Sequence, residues 1–456
     1  MIEHYASGAN CAVFNAIAWR ENCGEYLLHN YHTIGTVALP KLSFSRTLFI
    51  VMNDNIVNHR DLYRLPWNLA DNAISWLEPT SACNLACDGC YRENVAGSHK
   101  SLDVAREEID AFIRLRNSDG ISIAGGDPLM HPQIAEIVRY VAQRGLKPVI
   151  NTNGGLLTKE LLRELKRAGA AGFTFHVDSK QGRPKWKDKN EIDLNELRLE
   201  YAEMLAEVGG LSCAFNSTVY EDTLQYAPDL IQWAAEHIDI VNVMVFILYR
   251  IAAPQLPFDW YAGGKKINMN TLVYSETSER KIDLKSTDVV AEIRKRFRDF
   301  NPCAYLNGTE KPDSFKWLLS GRIGSKKRVY GYVGPRFMEI NQAGYHFMKG
   351  RYLAYASPQM TRLGRTMMLL SPFDSGVRRI AGRYLAASLA NPARLFGGMH
   401  YQSVMIIQPV DFLERGQQNM CDGCPDMTIY NGQLVWSCRM EELKQFGNWV
   451  RTVPKD

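Results

Sequence analysis

Six short apolar segments alternate with helical patterns between residues 74 and 246, and this alternation constrains the fold more than any other feature. The segments span residues 74–79, 121–124, 148–151, 173–177, 211–216 and 240–246. Strands that alternate with helices pair in parallel through right-handed crossovers, so we predict an α/β core with an open doubly wound sheet or a barrel. In both folds the chemistry takes place at the carboxyl ends of the strands.

The length of 456 residues leaves room for additions on both sides of this core. We predict an N-terminal extension over residues 1–72, the core over 73–250, a basic region over 251–400 and a compact C-terminal unit over 401–456. The first residues lack the basic and apolar regions of a signal peptide, and no uncharged apolar run is long enough to span a bilayer. We therefore expect a cytoplasmic protein.

Three cysteines follow the first predicted strand with the spacing C-x3-C-x2-C: Cys83, Cys87 and Cys90, which we call the first triad. In a reducing compartment, clustered cysteines are more often metal ligands than disulfides. Three thiolates from one loop can hold three irons of a cubane iron–sulfur cluster and leave the fourth iron open. A zinc knuckle that lacks a ligand, or three incidental cysteines, are the alternatives, and neither explains the position at the ligand-binding end of a β/α core.

The first triad closely resembles that of the radical S-adenosylmethionine (radical SAM) superfamily. The resemblance implies a partial (β/α)6 TIM-like barrel, a [4Fe–4S] cluster whose open iron binds S-adenosylmethionine, and an external electron donor of the flavodoxin or ferredoxin type. One electron then breaks the C5′–S bond, and the 5′-deoxyadenosyl radical abstracts hydrogen or adds to the substrate. The sequence departs from the family at Gly89, because the residue before the third cysteine is usually aromatic.

A glycine-rich turn follows the second predicted strand, and its residues Gly125, Gly126, Asp127 and Pro128 resemble the GGEP motif of the superfamily. Glycines allow a ligand to approach the backbone, and carbonyl and carboxylate oxygens can accept hydrogen bonds from the ammonium group of S-adenosylmethionine. The resemblance implies further contacts with this cofactor from polar residues after the next three strands: Asn151, Asn153, Asp178, Ser179 and Asn216. The alternative for each is ordinary loop capping, and we interpret His176 as a packed core histidine.

A second set of cysteines lies near the C-terminus: Cys421, Cys424 and Cys438, which we call the second triad. Between them, alternating residues around Asn431-Gly432 predict a β-hairpin that returns the last cysteine to the first two. A structural zinc site fits this spacing. The resemblance favours an auxiliary iron–sulfur cluster of the twitch or SPASM type, which would make two [4Fe–4S] clusters in the chain. We expect Cys303 to supply a fourth ligand and close this cluster.

The charge of the chain is concentrated in residues 316–394, which contain 14 Lys or Arg residues against Glu339 and Asp374. This excess predicts an anionic partner, and we expect the region to face the substrate. Within it, one predicted helical face contains Val377, Ile380, Ala381, Tyr384 and Leu385, flanked by Arg378, Arg379 and Arg383. Such a helix either packs on the core with its arginines extended or contacts a lipid surface peripherally. We do not expect nucleic acid, because no binding module accompanies the charge.

The leading functional prediction is a radical SAM enzyme, an oxidoreductase or transferase, that modifies an anionic small molecule, with lipids among the candidates. No catalytic side chain is assigned. The alternative is a peptide or protein maturase of the SPASM type, which would require an N-terminal winged helix, and residues 1–72 show no three-helix periodicity. An iron–sulfur electron-transfer module is the non-enzymatic alternative, and it would leave the GGDP turn and the six-stranded core without a purpose.

Overall fold

The computed structural model describes residues 57–249, 256–275, 284–413 and 415–455, all of which belong to one unit, residues 54–456. Residues 1–56 of the predicted N-terminal extension lie outside the described residues. The strands are β1 (Tyr63–Arg64), β2 (Ile74–Thr80), β3 (Gly120–Gly125), β4 (Lys147–Thr152), β5 (Gly172–His176), β6 (Ser212–Val219), β7 (Val243–Leu248), β8 (Phe258–Ala262), β9 (Lys265–Lys266), β10 (Ala304–Leu306), β11 (Trp317–Ser325), β12 (Arg328–Tyr332), β13 (His400–Ile407), β14 (Asp411–Phe412), β15 (Gln418–Asn419), β16 (Met427–Tyr430), β17 (Gln433–Trp436) and β18 (Val450–Pro454).

The helices connect these strands and pack on the faces of the sheet. They are α1 (Leu102–Leu115), α2 (Ile134–Gln143), α3 (Lys159–Ala168), α4 (Asn195–Val208), α5 (Ala227–Glu236), α6 (Ser286–Arg296), α7 (Pro335–Lys349), α8 (Pro358–Thr361), α9 (Gly364–Met367), α10 (Ser375–Ala390) and α11 (Met440–Phe446). The apolar stripes of α1 to α5 and the inner faces of the core strands form the main hydrophobic cluster. Burial of these stripes supplies the main drive for the α/β packing.

Strands β2 to β7 form a parallel sheet in chain order, as the alternation of apolar segments predicts. The sheet continues beyond β7 with β13, which is parallel to β7, and then with β11, β10 and β1. Within the described residues β1 and β2 are the two ends of this path and do not pair, so the barrel stays open. The prediction of an α/β fold with a partial TIM-like barrel is confirmed. The predicted boundary between residues 400 and 401 falls inside β13.

Only part of the basic region lies near the cysteines: Trp260, Met269, Tyr274 and Trp317 line their cavity, whereas the segment after α7 lies elsewhere. Its segment after α7 crosses the amino ends of the core strands. The guanidinium of Arg351 donates to the carbonyls of Ser118 and Gly145 at 3.3 and 3.2 Å, and the N–H of Ala354 donates to the carboxylate of Asp119 at 3.0 Å. These partners precede β3 and β4, whereas the cysteines follow the carboxyl end of β2. The sequence showed the charge but not its position in the fold.

Helix α10 packs on the protein with the apolar face identified in the sequence. Val377, Ile380 and Tyr384 are buried, while Leu385 is 59% exposed. The sequence allowed this face either to pack on the core or to contact a lipid surface. The structure shows that most of it packs on the core. None of the helices in the described part of the chain is long and apolar enough to cross a membrane.

We predict that Asp119→Ala lowers the free energy of unfolding by about 2 kcal/mol, because the buried carboxylate accepts hydrogen bonds from Lys147, Tyr345 and Ala354. Glu207→Gln is the matched control, since Glu207 pairs only with exposed side chains on the surface, and its stability should be nearly unchanged. Urea unfolding of both variants measures the effect. Equal stability of the two variants would show that the segment after α7 is not held at Asp119.

Candidate active site

The loop that bears the first triad is held by the glycine turn at the end of β3. The N–H groups of Gly126 and Asp127 donate to the carbonyls of Thr80 and Ala82 at 2.8 Å. A Cβ on Gly126 would lie 2.3 Å from the Ala82 carbonyl oxygen, and no flexible side chain could move away to admit it. Only glycine therefore allows the turn to pack on the backbone just before Cys83.

Asp127 lies beneath this turn and is not in the lining of the cavity that contains the cysteines. It is 1% exposed. Its carboxylate accepts hydrogen bonds from the N–H groups of Leu129 and Asn153 at 2.9 and 2.8 Å and from the Thr152 hydroxyl at 2.8 Å. Burial raises the pKa of this carboxyl group above its ordinary value. The structure thus gives Asp127 a positioning role between β3 and β4 and does not bring it to the predicted cofactor contact.

The thiols of the first triad open onto a cavity of about 480 Å³ at the carboxyl ends of the core strands. Cys83 accepts a hydrogen bond from the N–H of Leu85 at 3.5 Å and contacts the amide of Asn153 at 3.7 Å. Burial raises the pKa of the thiols of Cys83 and Cys87. Because only thiolates bind iron, loading of this site would release protons.

Most of the residues predicted to contact S-adenosylmethionine line the same cavity. These are Gly125, Gly126, Asn151, Asn153, Asp178 and Asn216. Ser179, like Asp127, does not line the cavity. Its N–H donates to the carboxylate of Glu191 at 2.7 Å. Parallel pairing brings these side chains together, since every strand presents its carboxyl end to the same side.

His176 is a cavity residue, which corrects its interpretation as a packed core histidine. It is the last residue of β5, and its Nε2 lies 2.9 Å from both the carboxylate of Asp178 and the hydroxyl of Thr218. Burial disfavours ionisation of Asp178, but the hydrogen bond and charge of His176 outweigh it, so the pKa of this carboxyl group is lowered. In the sequence, His176 lies next to the end of the predicted strand 173–177, and this position could have indicated a residue that lines the cavity.

Arg183 joins the ends of two core strands and was missed in the sequence because it lies in a loop without a motif. It is buried, and its guanidinium donates to the carbonyls of Asn153 and His176 at 2.6 and 2.8 Å. The ends of β4 and β5 are therefore fixed relative to each other by one side chain.

The family usually has an aromatic residue at the position of Gly89, and here the ring of Tyr249, just after β7, lies beside this glycine. Gly89 has φ of +66°, and a Cβ placed there would lie 2.3 Å from Cε2 of Tyr249. Tyr249 follows directly on β7, lines the cavity and packs against Tyr220 with a ring separation of 4.7 Å. A tyrosine from the sheet thus occupies the space beside the third cysteine.

The second triad faces the same cavity as the first. Strands β16 and β17 pair antiparallel around Asn431 and Gly432, which have φ of +49° and +74°, so the predicted hairpin is confirmed. Cys438 follows β17, and burial raises the pKa of its thiol to about 12. The pKa of the Cys424 thiol is also raised. The main cause is a hydrogen bond with Cys421, and the second is burial.

The loop of the second triad is attached to the barrel by a buried arginine at the end of α1. Arg116 donates to the carbonyl of Cys424 at 2.8 Å and to that of Pro425 at 3.1 Å. The amide of Asn72, just before β2, donates to the carbonyl of Gly423 at 2.9 Å. The second triad is therefore positioned by the core itself.

Cys303 is not brought together with the second triad in the cavity lining. It is fully buried beside β11, and its thiol donates to the carbonyl of Leu319 at 3.4 Å. Burial raises the pKa of this thiol to about 12. The placement does not support the predicted fourth ligand, and the packing among apolar side chains explains the residue instead.

The three thiols of each triad open on a common cavity. Within the described residues no three His, Cys, Asp or Glu side chains converge closely enough to hold one ion. In a cubane each thiolate binds a different iron, so the sulfurs need to surround the cluster and not meet at one point. Thiols that open on a common cavity meet this requirement.

A sequence profile of the Radical SAM superfamily matches residues 77–234, from the end of β2 to α5. The chain contains a radical SAM domain. The superfamily predicted from the first triad and the GGDP turn is therefore confirmed.

Similar proteins share part of the chain. An AdoMet-dependent heme synthase of Oleidesulfovibrio alaskensis is 27% identical over 198 residues, 42% of this chain and 50% of that protein. A GTP 3′,8-cyclase of Chlorobaculum tepidum is 38% identical over 104 residues, 22% of this chain and 31% of that protein. The chain thus spans half or less of the length of these relatives. SuiB of Streptococcus suis with bound S-adenosylmethionine aligns with a TM-score of 0.36 at 14% identity, over 51% of this chain and 48% of that chain.

A buried arginine connects the radical SAM domain to the second triad. Arg92, two residues after Cys90, is 3% exposed and pairs with the carboxylates of Glu78 at 2.5 Å and Glu441 at 3.3 Å. It also donates to the carbonyl of Ser437, the neighbour of Cys438, at 2.6 Å. Burial disfavours ionisation of Glu78, but the attraction of Arg92 outweighs it and lowers the pKa of Glu78. One guanidinium thus fixes the separation of the two cysteine loops.

The remainder of the cavity lining is mainly apolar and aromatic. It includes Trp76, Trp260, Met269, Tyr274, Trp317 and Phe412. Among the described residues only Arg92 and Arg439 bring cationic side chains to this lining, and Arg439 pairs with Glu442. The space between the two triads therefore suits an apolar group better than an unpaired anion.

We predict that Arg92→Gln lowers the free energy of unfolding by about 3–5 kcal/mol at neutral pH, because it leaves the buried carboxylate of Glu78 without its paired cation, while Glu441 keeps its pair with Lys444. Arg144→Gln, which breaks a surface pair with Asp110, is the control and should cost less than about 1 kcal/mol. Denaturant unfolding of both variants measures the difference. An Arg92 variant as stable as the control would contradict a stabilising role of the buried pairs.

The pH dependence gives a second test of the same pairs. In the native protein the pKa of Glu78 lies below its ordinary value of 4.5, so its contribution is complete above pH 4.5 and is lost as the pH falls through the lower folded value. In Arg92→Gln the pKa of Glu78 should rise instead. The difference in unfolding free energy between the native protein and Arg92→Gln should therefore shrink as the pH is lowered. A difference that does not depend on pH would show that the Glu78–Arg92 pair is not its cause.

Proposed function

We propose that this protein is a radical SAM enzyme that uses the first triad to hold the catalytic cluster and the second triad to hold an auxiliary one. The observation that carries the proposal is that six cysteines, three from each triad, open onto one cavity at the carboxyl ends of the radical SAM domain. When bound, the first cluster and S-adenosylmethionine supply a 5′-deoxyadenosyl radical. An external electron donor of the flavodoxin or ferredoxin type is part of the proposal.

The polar strand ends are proposed to bind and orient S-adenosylmethionine. The carbonyls at Gly125 and Gly126 suit its ammonium group, and the amides of Asn153 and Asn216 suit its carboxylate and ribose. Asp178, held ionised by His176, offers an acceptor for a ribose hydroxyl. The ring of Tyr249 is proposed to pack on the adenine in place of the family's aromatic residue.

The auxiliary site is proposed to be an iron–sulfur cluster with an open coordination position and not a zinc site. A structural zinc site needs a fourth ligand, and the expected donor, Cys303, is buried elsewhere. A cluster held by Cys421, Cys424 and Cys438 alone keeps one iron free. That iron would face the cavity, where it can hold a donor atom of the substrate.

The substrate is proposed to be a small molecule with an extended apolar part, for which a lipid-like compound is one candidate. The aromatic lining between the triads supports this choice. The predicted anionic character gains no support from the cavity, because its arginines are paired with glutamates. The peptide-maturase alternative stays a prediction, since most of its N-terminal recognition domain would lie outside the described residues.

We predict that the native chain, reconstituted anaerobically, holds two [4Fe–4S] clusters. Replacing Cys83, Cys87 and Cys90 by Ala should remove about half of the iron and all 5′-deoxyadenosine formation, since these thiolates hold one of the two clusters. Replacing Cys421 and Cys424 should remove the other half and leave S-adenosylmethionine binding intact. Iron analysis, electron paramagnetic resonance and product chromatography provide the measurements.

Cys303→Ala is the matched control for these variants and should retain all the iron. Cleavage of S-adenosylmethionine by the first triple variant would contradict the proposed function. Zinc in place of iron in the native second site would contradict the auxiliary cluster alone.

We also predict that Tyr249→Ala weakens S-adenosylmethionine binding by about tenfold, because an aromatic contact is worth about 0.5–1.5 kcal/mol beyond the buried area. Tyr249→Phe keeps the ring and should bind nearly as the native protein does. Equilibrium dialysis with the reconstituted enzyme measures the affinity, and iron content confirms that the cluster is present. Unchanged affinity of Tyr249→Ala would remove this residue from the site.

A further inference from the structure

Among the described residues, the most exposed large apolar side chains are concentrated in one part of the sequence. Every described large apolar residue that is more than 60% exposed lies between Ile340 and Phe396. These residues are Phe347 (92%), Met348 (72%), Leu369 (73%), Phe373 (67%), Leu389 (85%) and Phe396 (88%). A concentration of this kind marks an interaction surface and not ordinary scatter.

Four of these six residues, together with Leu385 (59%), belong to α10 or to the segments that flank it, and we call this set the α10 surface: Leu369, Phe373, Leu385, Leu389 and Phe396. The turn at Met368–Leu370 and the turn at Pro392–Phe396 both pack against α10.

Arginine side chains hold the pieces of this surface together. Arg378 of α10 donates to the carbonyl of Pro372 at 3.0 Å, and Arg394 donates to the carbonyl of Ala387 at 3.1 Å. These bonds fix the segments before and after α10 to the helix.

The outward ridge of α10 combines charge with apolar tips. At about 100° per residue, Arg378, Leu385 and Leu389 lie within about 40° of one another around the helix axis. Their mean direction differs by about 130° from that of the buried residues Val377, Ile380 and Tyr384. Of the residues on the helical face predicted from the sequence, Leu385 lies on this outward ridge, whereas Val377, Ile380 and Tyr384 are buried.

The electrostatic field of this region is cationic. Residues 341–400 contain eight Lys or Arg residues and one acidic residue, Asp374. Asp374 is buried, and its carboxylate accepts hydrogen bonds from the N–H groups of Gly334, Phe337 and Val377 at 2.9, 3.1 and 2.8 Å. A partner of this surface must therefore carry negative charge and accept apolar side chains.

A cationic cleft of about 690 Å³ lies beside α10, between this helix and α6. Its charged lining consists of Arg294, Lys295, Arg298, Arg379, Arg383 and Asp299. The single carboxylate is already paired, since Arg383 lies 2.9 Å from Asp299. Guanidinium groups in this arrangement suit phosphate oxygens.

We propose that the α10 surface binds the anionic face of a phospholipid bilayer, with apolar tips in the acyl region and headgroup phosphates in the cationic cleft. Arginines beside protruding leucine and phenylalanine side chains are typical of interfacial helices. A second copy of the chain fits less well, because two cationic surfaces would repel each other. Nucleic acid would leave the aliphatic tips in water.

The α10 surface contributes no residue to the cavity that holds the two triads. Membrane binding is thus independent of the proposed radical chemistry, and its failure would leave that proposal standing. The test uses the anaerobically reconstituted chain, and its iron content confirms that each variant holds the clusters of the native protein.

The test is flotation of the full chain with vesicles of phosphatidylcholine alone and of equal parts phosphatidylcholine and phosphatidylglycerol. The native chain should float with the mixed vesicles and much less with the neutral ones, and high salt should weaken this binding. Leu389→Ser with Phe396→Ser should weaken binding by about tenfold or more, because two exposed apolar side chains no longer enter the bilayer. Leu69→Ser with Leu115→Ser, two exposed leucines elsewhere, is the control and should bind as the native chain does.

The cleft is tested separately with Arg298→Gln and Arg379→Gln. This variant should lose the preference for mixed vesicles, whereas Lys265→Gln with Lys311→Gln, an equal loss of charge outside the α10 surface, should keep it. No flotation of the native chain, or equal flotation of the Leu389/Phe396 variant, would overturn the proposal. Light scattering that shows a dimer abolished by the same variant would overturn it in favour of a second copy.

Discussion

The buried guanidinium of Arg92 is the interaction on which the arrangement of the site depends. A charge at this depth persists only with anionic partners, and it has two, Glu78 at the end of a core strand and Glu441 in the last helix. Because the same side chain also bonds the residue beside Cys438, three separate parts of the sequence are fixed at one point. The loop of the first triad thereby becomes part of a rigid frame that includes the second.

The sequence predicted the parts of the fold that depend on local pattern. The six parallel strands were found within three residues of their observed ends, because each is an apolar run between helical patterns. The hairpin of the second triad was found from Asn431-Gly432, since this pair adopts the left-handed turn without strain. The two cysteine spacings were sufficient to predict both triads.

The remaining features depend on contacts between distant residues, which pattern cannot reveal. Strand β13 joins the core sheet more than 150 residues after its neighbour β7. Cys303 has the chemistry of a ligand but lies behind β11, and His176 has the pattern of a core residue but ends a strand at the cavity. The basic region showed its charge in the sequence, but the position of its segment after α7 at the amino ends of the strands depends on hydrogen bonds with distant residues such as Asp119.

In this protein the aromatic side chain beside the third cysteine comes from Tyr249, after β7, and not from the loop of the first triad. This difference affects how related sequences can be found. Tyr249 directly follows β7, and its N–H donates to the carbonyl of Val219 at the end of β6 at 3.0 Å, so its position is set by the sheet and not by the loop of the first triad. A search pattern that demands an aromatic residue before the third cysteine would pass over this chain. In this chain the glycine and the tyrosine depend on each other, because any side chain at Gly89 would collide with the ring of Tyr249.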